Sequence, residues 1–346
     1  MRKAHVTPLD FKNGRIDLSH GAGGRAMAQL IAEIFAAALD NEFLRQQNDQ
    51  ALFPVPGGRM AMTTDGYVIS PLFFPGGDIG SLAVHGTVND LAMGGARPLY
   101  LSAGFVIEEG FPLGDLKRIA ESMARAAREA GVQVVTGDTK VVQRGKGDGV
   151  FITTTGIGLV PDGVQISGDR ARPGDAVLVS GTIGDHGVAI MSKRENLTFE
   201  TEILSDSAAL HGLVADMLAA APGIHVLRDP TRGGLAATLN EIAHQSGVGM
   251  RLKEAAIPIL PAVQGACELL GLDPLNVANE GKLICICPAV DAPAVLAAMR
   301  AHPLGREAAV IGQAVADDHR FVEMETCFGG TRIVDWLAGE QLPRIC

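Results

Sequence analysis

The stretch RMAMTTDGYVIS, residues 59–70, and the stretch SLAVHGTVNDLAMGG, residues 81–95, decide the fold of the first half of this chain. The first is strand-like, and the second is an Ala- and Gly-containing helix where close approach of another group is sterically possible. A strand, a helix and two further strands follow in LYLSAGFVI (99–107), DLKRIAESMARAAREAG (115–131), VQVVTGDTKVV (132–142) and GVFITTTGIGLV (149–160). The composition, rich in Gly and aliphatic residues and with only 4% aromatic residues, is typical of an α/β-type protein.

The turn-rich stretches PDG (161–163) and RPGD (172–175) separate this half from a second one. The second half alternates helices such as GGLAATLNEIAHQSG (233–247) with strands such as LICICP (283–288). A chain of 346 residues also suggests two domains on size alone. We therefore predict a glycine-rich N-terminal segment over 1–40, an N-terminal domain over 41–168, a C-terminal α/β domain over 169–330 and a mobile tail over 331–346.

Composition argues against several classes of protein. A formal net charge of −10 is unfavourable for general binding to nucleic acid or to an anionic membrane. The N-terminus lacks an apolar signal segment, and no apolar run reaches the ~18 residues that span a bilayer, so we expect a cytoplasmic protein. The five cysteines form no CxxC pair, and Cys285 and Cys287 are expected to pack in the core from one face of a strand.

Glycines precede a predicted helix in SHGAGGRAM, residues 19–27. Gly21, Gly23 and Gly24 let successive backbone amides point into one concavity, where a helix N-terminus adds favourable potential for phosphate. GAGGRA also matches the dinucleotide-binding fingerprint GxGxxA, but no continuous apolar strand precedes it and no βαβ unit follows. GxxxxGK[ST] is absent from the sequence, which excludes a Walker P-loop.

Three further stretches carry acidic residues at strand ends or in the small-residue helix. Mg²⁺ prefers oxygen ligands and commonly bridges one or two carboxylates to nucleotide phosphates. An aspartate beside glycine is also typical of an ordinary turn, and spacing alone does not show that the three stretches converge. The candidate residues are Asp65 in TTDG, Asn89 and Asp90 in GTVNDLAMGG, and Asp138, Thr139 and Lys140 in VTGDTKVV.

A fourth stretch, RDPTRGG (228–234), precedes a predicted helix in the second half. Asp229, Thr231 and Arg232 either contact a second phosphate at the helix terminus or form an ordinary N-cap beside a surface arginine. Both interpretations stay open at this point.

The sequence ends in GEQLPRIC, with Cys346 as its last residue. Chain ends fray unless they are tied down, so an exposed thiol there is a liability unless it has a use. A carrier thiol and a chance cysteine are both compatible with this position.

Taken in order, seven stretches resemble one known family over essentially the whole chain: SHGAGG, TTDGYVISPLFFPGGDIG, HGTVNDLAMGGARP, VTGDTKVV, RDPTRGGLAATLNEIA, NEGKL and LPRIC. That family is the HypE carbamoyl dehydratases, which are hydrogenase maturation factors. The acidic stretches are shared by a wider ATP-dependent superfamily with aminoimidazole ribonucleotide synthetase, selenophosphate synthetase and thiamine monophosphate kinase. The terminal PRIC is what singles out this family.

The resemblance implies an α+β, two-domain aminoimidazole ribonucleotide synthetase-like (PurM-like) fold. Such a protein dimerises through its N-terminal domains and binds ATP in a cleft involving both domains. The resemblance also implies that a partner carbamoyltransferase loads Cys346 and that ATP drives dehydration of the thiocarboxamide to a thiocyanate. The cyano group then passes to iron on a scaffold complex during assembly of the [NiFe]-hydrogenase active site.

Motif matching to the family also implies roles for individual residues. Asp65, Asn89, Asp90 and Asp138 correspond to Mg-ATP residues, with the three aspartates as the metal ligands. Glu280 in NEGK and Lys140 correspond to residues placed near the modified tail.

Dehydration of an amide needs the residue types that these motifs supply. An amide oxygen is a poor leaving group near pH 7, and phosphorylation by ATP converts it into phosphate. Aspartates that bind metal, glycine amides and a lysine supply the positioning and charge neutralisation that phosphoryl transfer needs. The nitrogen protons need a base, which is Glu280 or Lys140; alternatively Glu280 is a solvated turn acid and Lys140 only a phosphate contact.

Two other functions stay open. A selenophosphate synthetase would need a reactive cysteine or selenocysteine in the glycine-rich N-terminal segment, and the first cysteine here is Cys267. A non-catalytic assembly factor would use the terminal thiol only to dock a partner.

Overall fold

The computed structural model describes residues 8, 24–30, 32–33, 51–55, 58–197, 202–337, 339, 342 and 344–346. Gly21 and Gly23, expected to contact phosphate, lie outside the described residues. The α-helices are α1 Arg25–Leu30, α2 Ile79–Met93, α3 Leu113–Glu129, α4 Asp185–Arg194, α5 His211–Ala220, α6 Gly234–Ser246, α7 Pro261–Leu270 and α8 Ala292–Ala301.

The strands form two large sheets and one short hairpin. In chain order they are β1 Ala51–Val55, β2 Gly58–Tyr67, β3 Phe73–Phe74, β4 Gly77–Asp78, β5 Arg97–Glu108, β6 Gln133–Val142, β7 Val150–Val160, β8 Asp175–Val179, β9 Val226–Arg228, β10 Gly249–Lys253, β11 Ile284–Pro288, β12 Ala309–Val315, β13 Val322–Glu325 and β14 Thr331–Ile333.

The N-terminal domain is a five-stranded sheet in the order β1-β2-β7-β5-β6, covered on one face by α2 and α3. Leu82, Ile119 and Ile152 are fully buried between the helices and the sheet. A Cβ on Gly80 would collide with the carbonyl oxygen of Ile119, so glycine lets α2 and α3 pack closely. The predicted small-residue helix and its neighbouring strands therefore form as expected, and together they build this core.

No element in the described part of the chain covers the other face of this sheet, the open face. Met62, Tyr100 and Val106 point away from the helices and are exposed by 43%, 49% and 38%. Exposed large apolar side chains on one face of a sheet are typical of a face that packs against another surface.

The C-terminal domain is a seven-stranded sheet in the order β14-β13-β10-β12-β8-β11-β9. Helix α6 packs on one face, where Leu235 and Leu239 meet Ile284. Cys285 and Cys287 are fully buried on the other face, in the same apolar cluster as residues of α5 and α8. The prediction that these two cysteines pack in the core from one face of a strand is confirmed.

The two domains share a hydrophobic core. Leu91 and Met93 from α2 lie in one buried cluster with Leu213 and Met217 from α5. The connection between the domains contributes Val164 and Ile166 to the same cluster in the region where the sequence predicts a boundary. Burial of these side chains fixes how the end of α2, with its polar residues, faces the C-terminal domain.

The segment expected to be a mobile tail is partly built into the fold. Residues Thr331–Ile333 form β14, which pairs antiparallel with β13. At the other end, Ile345 is only 3% exposed and belongs to the core cluster of the N-terminal domain. The last residues therefore lie docked against the domains, because Ile345 gives the tail an apolar anchor.

A search for membrane spans found none: in the described part of the chain, every helix is too short or too polar to cross a bilayer.

Candidate active site

The end of β2 brings two polar side chains to the helix-covered face of the N-terminal sheet. Asp65 and Tyr67 alternate with exposed residues along the strand, and Tyr67 is 1% exposed. A Cβ on Gly86 would collide with the Tyr67 hydroxyl, so this glycine of α2 makes room for the phenol. The hydroxyls of Tyr67 and Thr87 lie 3.3 Å apart and share a hydrogen bond.

Negative charge accumulates around Tyr67. Burial raises the pKa of Tyr67 well above its ordinary value, and the nearby carboxylates of Asp65 and Asp90 raise it further. Burial also raises the pKa of Asp65, which the guanidinium of Arg232 partly offsets. Asp90 accepts a hydrogen bond from Thr63 Oγ1 at 2.8 Å. The two aspartates predicted from separate motifs therefore share one electrostatic environment.

Asn89 joins the two domains. It is 1% exposed, and its Nδ2 donates to the carbonyl oxygens of Ala208 at 3.0 Å and of Glu280 at 3.1 Å. Its Oδ1 accepts from the Leu210 amide at 2.8 Å. All of these partners are main-chain groups of the C-terminal domain, so Asn89 fixes the position of the chain at Glu280. Its direct contact with nucleotide stays a prediction.

Glu280 lies in a loop held from several sides. Its amide donates to Asp206 Oδ1 at 3.0 Å, and the preceding Asn279 donates from both its amide and its Nδ2 to the Pro230 carbonyl oxygen. Glu280 is 4% exposed, and its Oε1 has no hydrogen-bond partner among the described residues. The expectation of a solvated turn acid is therefore not met.

The environment of Glu280 favours its protonated form. Burial raises the pKa of this carboxyl well above its ordinary value, and Asp229, Asp206 and Asp65 raise it further, while Arg232 lowers it. A buried carboxyl with an unpaired oxygen is suited to exchange a proton with a group that enters the cleft.

The stretch RDPTRGG turns sharply before α6. Gly233 and Gly234 have φ of 79° and 62°, a conformation that favours glycine. Gly233 occupies the N-cap position of α6 without any side-chain cap, so Asp229 and Thr231 are not the N-cap. Asp229 is instead 8% exposed beside Glu280. The capping interpretation is wrong, and a phosphate contact by these residues stays a prediction.

Arg232 contributes a positive charge to the cleft. Its side chain remains exposed, and electrostatic interaction with Cys346, and then with Asp65, Glu280 and Asp90, raises its pKa against the effect of burial. One guanidinium thus faces several carboxyl groups contributed by both domains.

The tail brings Cys346 into this group. The thiol lies within hydrogen-bonding reach of Glu280. Burial raises the pKa of the thiol far above its ordinary value, Glu280 and Asp65 raise it further, and Arg232 opposes them. In the docked arrangement Cys346 therefore favours the neutral thiol, next to a protonated carboxyl and a guanidinium.

The residues of VTGDTKVV lie elsewhere in the single chain. The ladder pairs Asp65 with Thr154, Thr154 with Ala103, and Ala103 with Gly137, so Asp138 sits three strands away, roughly 14 Å, at the same level of the sheet. Since Gly137 shares the face of Asp65, Asp138 and Lys140 point to the open face.

Asp138 and Lys140 pair with each other on that face. Lys140 Nζ lies 2.7 Å from Asp138 Oδ2, and both side chains are about two-thirds exposed, at 69% and 67%. Thr139 lies between them in β6, and its predicted contact with nucleotide stays a prediction. Within one chain the structure therefore does not bring these residues to Cys346.

Gly24, the described glycine of the N-terminal segment, contacts the tail region. A Cβ at Gly24 would lie 2.8 Å from the carbonyl oxygen of Leu337. The absence of a side chain thus allows two backbones to approach here, and its phosphate contact stays a prediction.

Sequence reasoning missed several residues of the cleft. Asp206 binds the Glu280 amide and also lies 3.1 Å from Lys282 Nζ, whose second neighbour is Asp185 Oδ2 at 3.7 Å. Lys282 belongs to NEGKL, which is one of the seven stretches in which the sequence resembles the family. Asp206 lies in a segment without a motif, so only the fold reveals it.

The cleft is suited to a divalent cation. Asp65, Asp90, Asp229 and Glu280 bring four carboxyl groups close to the guanidinium of Arg232. Their oxygen atoms match the preference of Mg²⁺ for hard oxygen ligands. In the described part of the chain no three His, Cys, Asp or Glu side chains already form a metal cage. A bound metal would therefore have to take further ligands from nucleotide or water.

Comparison with known proteins agrees with this architecture. Residues 47–160 match the model of the AIR synthase related protein, N-terminal domain, and residues 172–325 match that of the C-terminal domain. Carbamoyl dehydratase HypE of Cupriavidus necator is 73% identical over 100% of this chain and 99% of its own length.

Two solved structures are similar to the whole chain. HypE in complex with ATP has a TM-score of 0.82 and 53% identity, covering 95% of this chain and 99% of that chain. HypE in a HypE-HypF complex has a TM-score of 0.85 and 50% identity, covering 89% of this chain and 99% of that chain. With both domain models matched and high identity along the full length, the chain belongs to the HypE carbamoyl dehydratase family of AIR synthase related proteins.

Proposed function

We propose that this chain is an ATP-dependent carbamoyl dehydratase that acts on its own C-terminal cysteine during hydrogenase maturation. The observation that carries the proposal is the docked Cys346 thiol beside the buried Glu280 and the Arg232 guanidinium. An enzyme whose substrate is part of its chain needs such a docked state for the chemistry. Family membership and the ATP complex of a relative support the reaction class.

The reaction removes the oxygen of a thiocarboxamide as phosphate. The carbonyl oxygen of the carbamoyl group on Sγ attacks the γ-phosphorus of ATP, and ADP leaves. The nitrogen then loses its two protons while the C–O bond breaks, which gives a thiocyanate and inorganic phosphate. Orientation and charge neutralisation supply most of the acceleration in phosphoryl transfer.

Residues of the cleft have separate tasks in this reaction. Arg232 neutralises charge that develops near Sγ and on the transferring phosphoryl group. Asp65 and Asp90 would hold Mg²⁺, which supplies charge neutralisation at the phosphates when bound. Asp138 is the third expected metal ligand, and with Lys140 it lies on the open face of the sheet.

Glu280 is the candidate that accepts a nitrogen proton. Because its surroundings favour the protonated carboxyl, it must first release its own proton before it acts as a base. Arg232 is the neighbour that favours the ionised form. Lys140 stays the alternative base.

Partners follow from the same reaction. A HypF-type carbamoyltransferase would load Cys346, as the HypE-HypF complex of relatives supports. An iron-carrying scaffold complex would accept the cyano group. The chain would also form a homodimer through the open apolar face of the N-terminal sheet, which carries Met62, Tyr100 and Val106. Dimerisation would bring a second copy against the face that carries Asp138 and Lys140.

The carrier role of Cys346 predicts a loss of adducts in Cys346→Ala. Wild-type protein incubated with the transferase, carbamoyl phosphate and ATP should gain the mass of a carbamoyl group and then lose the mass of one water. Cys346→Ala should bind ATP but show neither mass, whereas Cys327→Ala, which alters an exposed cysteine, should show both. Intact mass spectrometry measures this series; adducts on the alanine variant as abundant as on wild type would contradict the carrier role.

The metal role predicts weaker Mg-ATP binding in Asp90→Asn and Asp138→Asn, because each loses a carboxylate charge. Calorimetric titration with ATP at several Mg²⁺ concentrations should show a lower affinity in both variants and a weaker dependence on Mg²⁺. Asp318→Asn, a carboxylate on the exposed surface of the other domain, is the control. An Asp138→Asn curve that overlays wild type while Asp90→Asn is impaired would remove Asp138 from the metal site.

Protonation of buried Glu280 predicts how stability depends on pH. The unfolded chain releases this proton near pH 4.5 and the folded chain only at higher pH, so the free energy of unfolding falls as pH rises between the two pKa values. Each pH unit there costs up to about 1.4 kcal/mol. Glu280→Gln should therefore gain stability relative to wild type in urea unfolding as the pH rises above about 5.

Glu307→Gln, at an exposed position, is the control for that measurement and should follow wild type at each pH. Parallel stability curves for wild type and Glu280→Gln would mean that Glu280 ionises normally in the folded protein.

The homodimer predicts that charge on the open face disrupts association. Val106→Glu puts a carboxylate on this face, whereas Val290→Glu makes the same substitution at a position that is 84% exposed in the other domain. Analytical ultracentrifugation should show dimers for wild type and Val290→Glu and monomers for Val106→Glu. A wild-type protein that sediments as a monomer at micromolar concentration would contradict the proposal.

A further inference from the structure

The last three residues of the chain are held by their main-chain oxygens. Arg344 O accepts from the Ser70 amide at 3.2 Å and from Arg194 Nη2 at 2.8 Å. The oxygen of Ile345 accepts from His186 Nε2 at 2.8 Å, and that of Cys346 accepts from the Val68 amide at 3.1 Å. We call these four donors, Val68 N, Ser70 N, His186 and Arg194, the carbonyl clasp.

His186 is fixed as a single donor toward the tail. It is fully buried, and its ring packs edge-on against Phe74 with centroids 5.6 Å apart. Its Nδ1 shares a hydrogen bond with Ser205 Oγ at 2.8 Å. Burial lowers the pKa of His186, which favours the neutral ring. Because Nε2 donates to the Ile345 carbonyl oxygen, Nδ1 accepts from the serine hydroxyl, and the ring cannot turn without losing both bonds.

Arg194 ties the tail to the chain that follows β2. Its Nε and Nη2 both donate to Ser70 O, at 3.0 and 2.6 Å, and the same Nη2 reaches Arg344 O. Charged donors make hydrogen bonds roughly twice as strong as neutral ones. Arg194 sits at the end of α4, so a side chain of the C-terminal domain joins two segments on the N-terminal domain.

The tail needs this support because its conformation is specific. Arg344 has φ of 53°, in the left-handed region that is unfavourable for a non-glycine residue. Its side chain pairs with Asp148, and the turn at Arg344 sends Ile345 into the core and Cys346 toward Glu280. A small shift of the main chain here would move Sγ away from Glu280 and Arg232.

We propose that His186 and Arg194 are positioning residues for the dehydration step. They hold the main chain of residues 344–346 so that the group carried on Cys346 Sγ faces Glu280, and they act only while the tail is docked. This inference rests on the proposed function. The clasp binds the tail through main-chain oxygens, so its hydrogen bonds do not depend on whether the thiol is free, carbamoylated or cyanated.

The two steps of the reaction should respond differently to loss of the clasp. Loading requires the tail to leave the cleft and enter the transferase, where the clasp makes no contact. Dehydration occurs within the docked chain, so its first-order rate depends on the docked population and on the position of Sγ. Loss of one charge-assisted hydrogen bond should slow dehydration about tenfold or more, because such bonds contribute roughly 1.5–3 kcal/mol.

The experiment uses the full chain, first carbamoylated by the transferase without hydrolysable ATP and then mixed with saturating Mg-ATP. Intact mass spectrometry follows the loss of one water over time. We expect Arg194→Ala to dehydrate at least about tenfold more slowly than wild type, with loading and the KM for ATP unchanged. Arg194→Lys, which keeps one charged donor, should recover part of the rate.

Two further variants isolate the contacts. Lys193→Ala alters the exposed neighbour of Arg194 and should match wild type. His186→Gln keeps a donor that can reach Ile345 O and should dehydrate faster than His186→Ala; if His186→Ala fails to fold, the Arg194 series alone decides.

The outcomes separate this inference from the proposed function. A wild-type protein that loads but never dehydrates would overturn the proposed function itself. Dehydration by Arg194→Ala at the rate of Lys193→Ala would overturn the clasp while leaving the function intact. A loading rate that falls as much as the dehydration rate would assign these residues to folding or partner binding, and would also overturn the positioning role.

Discussion

The burial of Glu280 between the two domains is the constraint on which the rest of the site depends. A carboxyl in such a place resists ionisation, and it holds one geometry only if its backbone is fixed. Asn89 binds its carbonyl oxygen from the N-terminal domain, and Asp206 binds its amide from the C-terminal domain. The position of Glu280 therefore depends on how the two domains pack. A change in the contact between the domains would move Glu280, which is the candidate base.

Docking of the tail is finely balanced, and a carrier requires this. Ordering three residues costs about 3–6 kcal/mol of backbone entropy, and fixing the Arg344 and Ile345 side chains costs about 2–3 kcal/mol more. Burial of Ile345 returns about 2–3 kcal/mol, and four hydrogen bonds of about 1 kcal/mol each return about 4 kcal/mol. The cost and the gain differ by only a few kcal/mol, so the tail can dock and leave. A tail anchored by more apolar residues would dock more tightly but would be harder to load.

The cleft seen in one chain includes residues from five of the predicted motifs, and the open sheet face carries a sixth. Asp65, Asp90, Arg232, Glu280 and Cys346 share one electrostatic environment. Asp138 and Lys140 lie about 14 Å away on the opposite face. A motif in a strand shows that its residue types could bind a metal, but it does not show which face of the sheet they occupy. A shift of one residue along a strand moves each side chain to the opposite face.

The sequence by itself determined the family, the α+β character, the core roles of Cys285 and Cys287, and most of the polar residues of the cleft. These follow from local rules, since periodicity, glycine in tight turns and motif order all depend on neighbouring residues. Tertiary structure alone decided that Asn89 links the two domains, that Glu280 is buried, and that His186 and Arg194 hold the tail. These contacts join residues more than a hundred positions apart, or depend on which face a strand presents. Such contacts leave no pattern in the sequence, because their partners become neighbours only when the two domains pack.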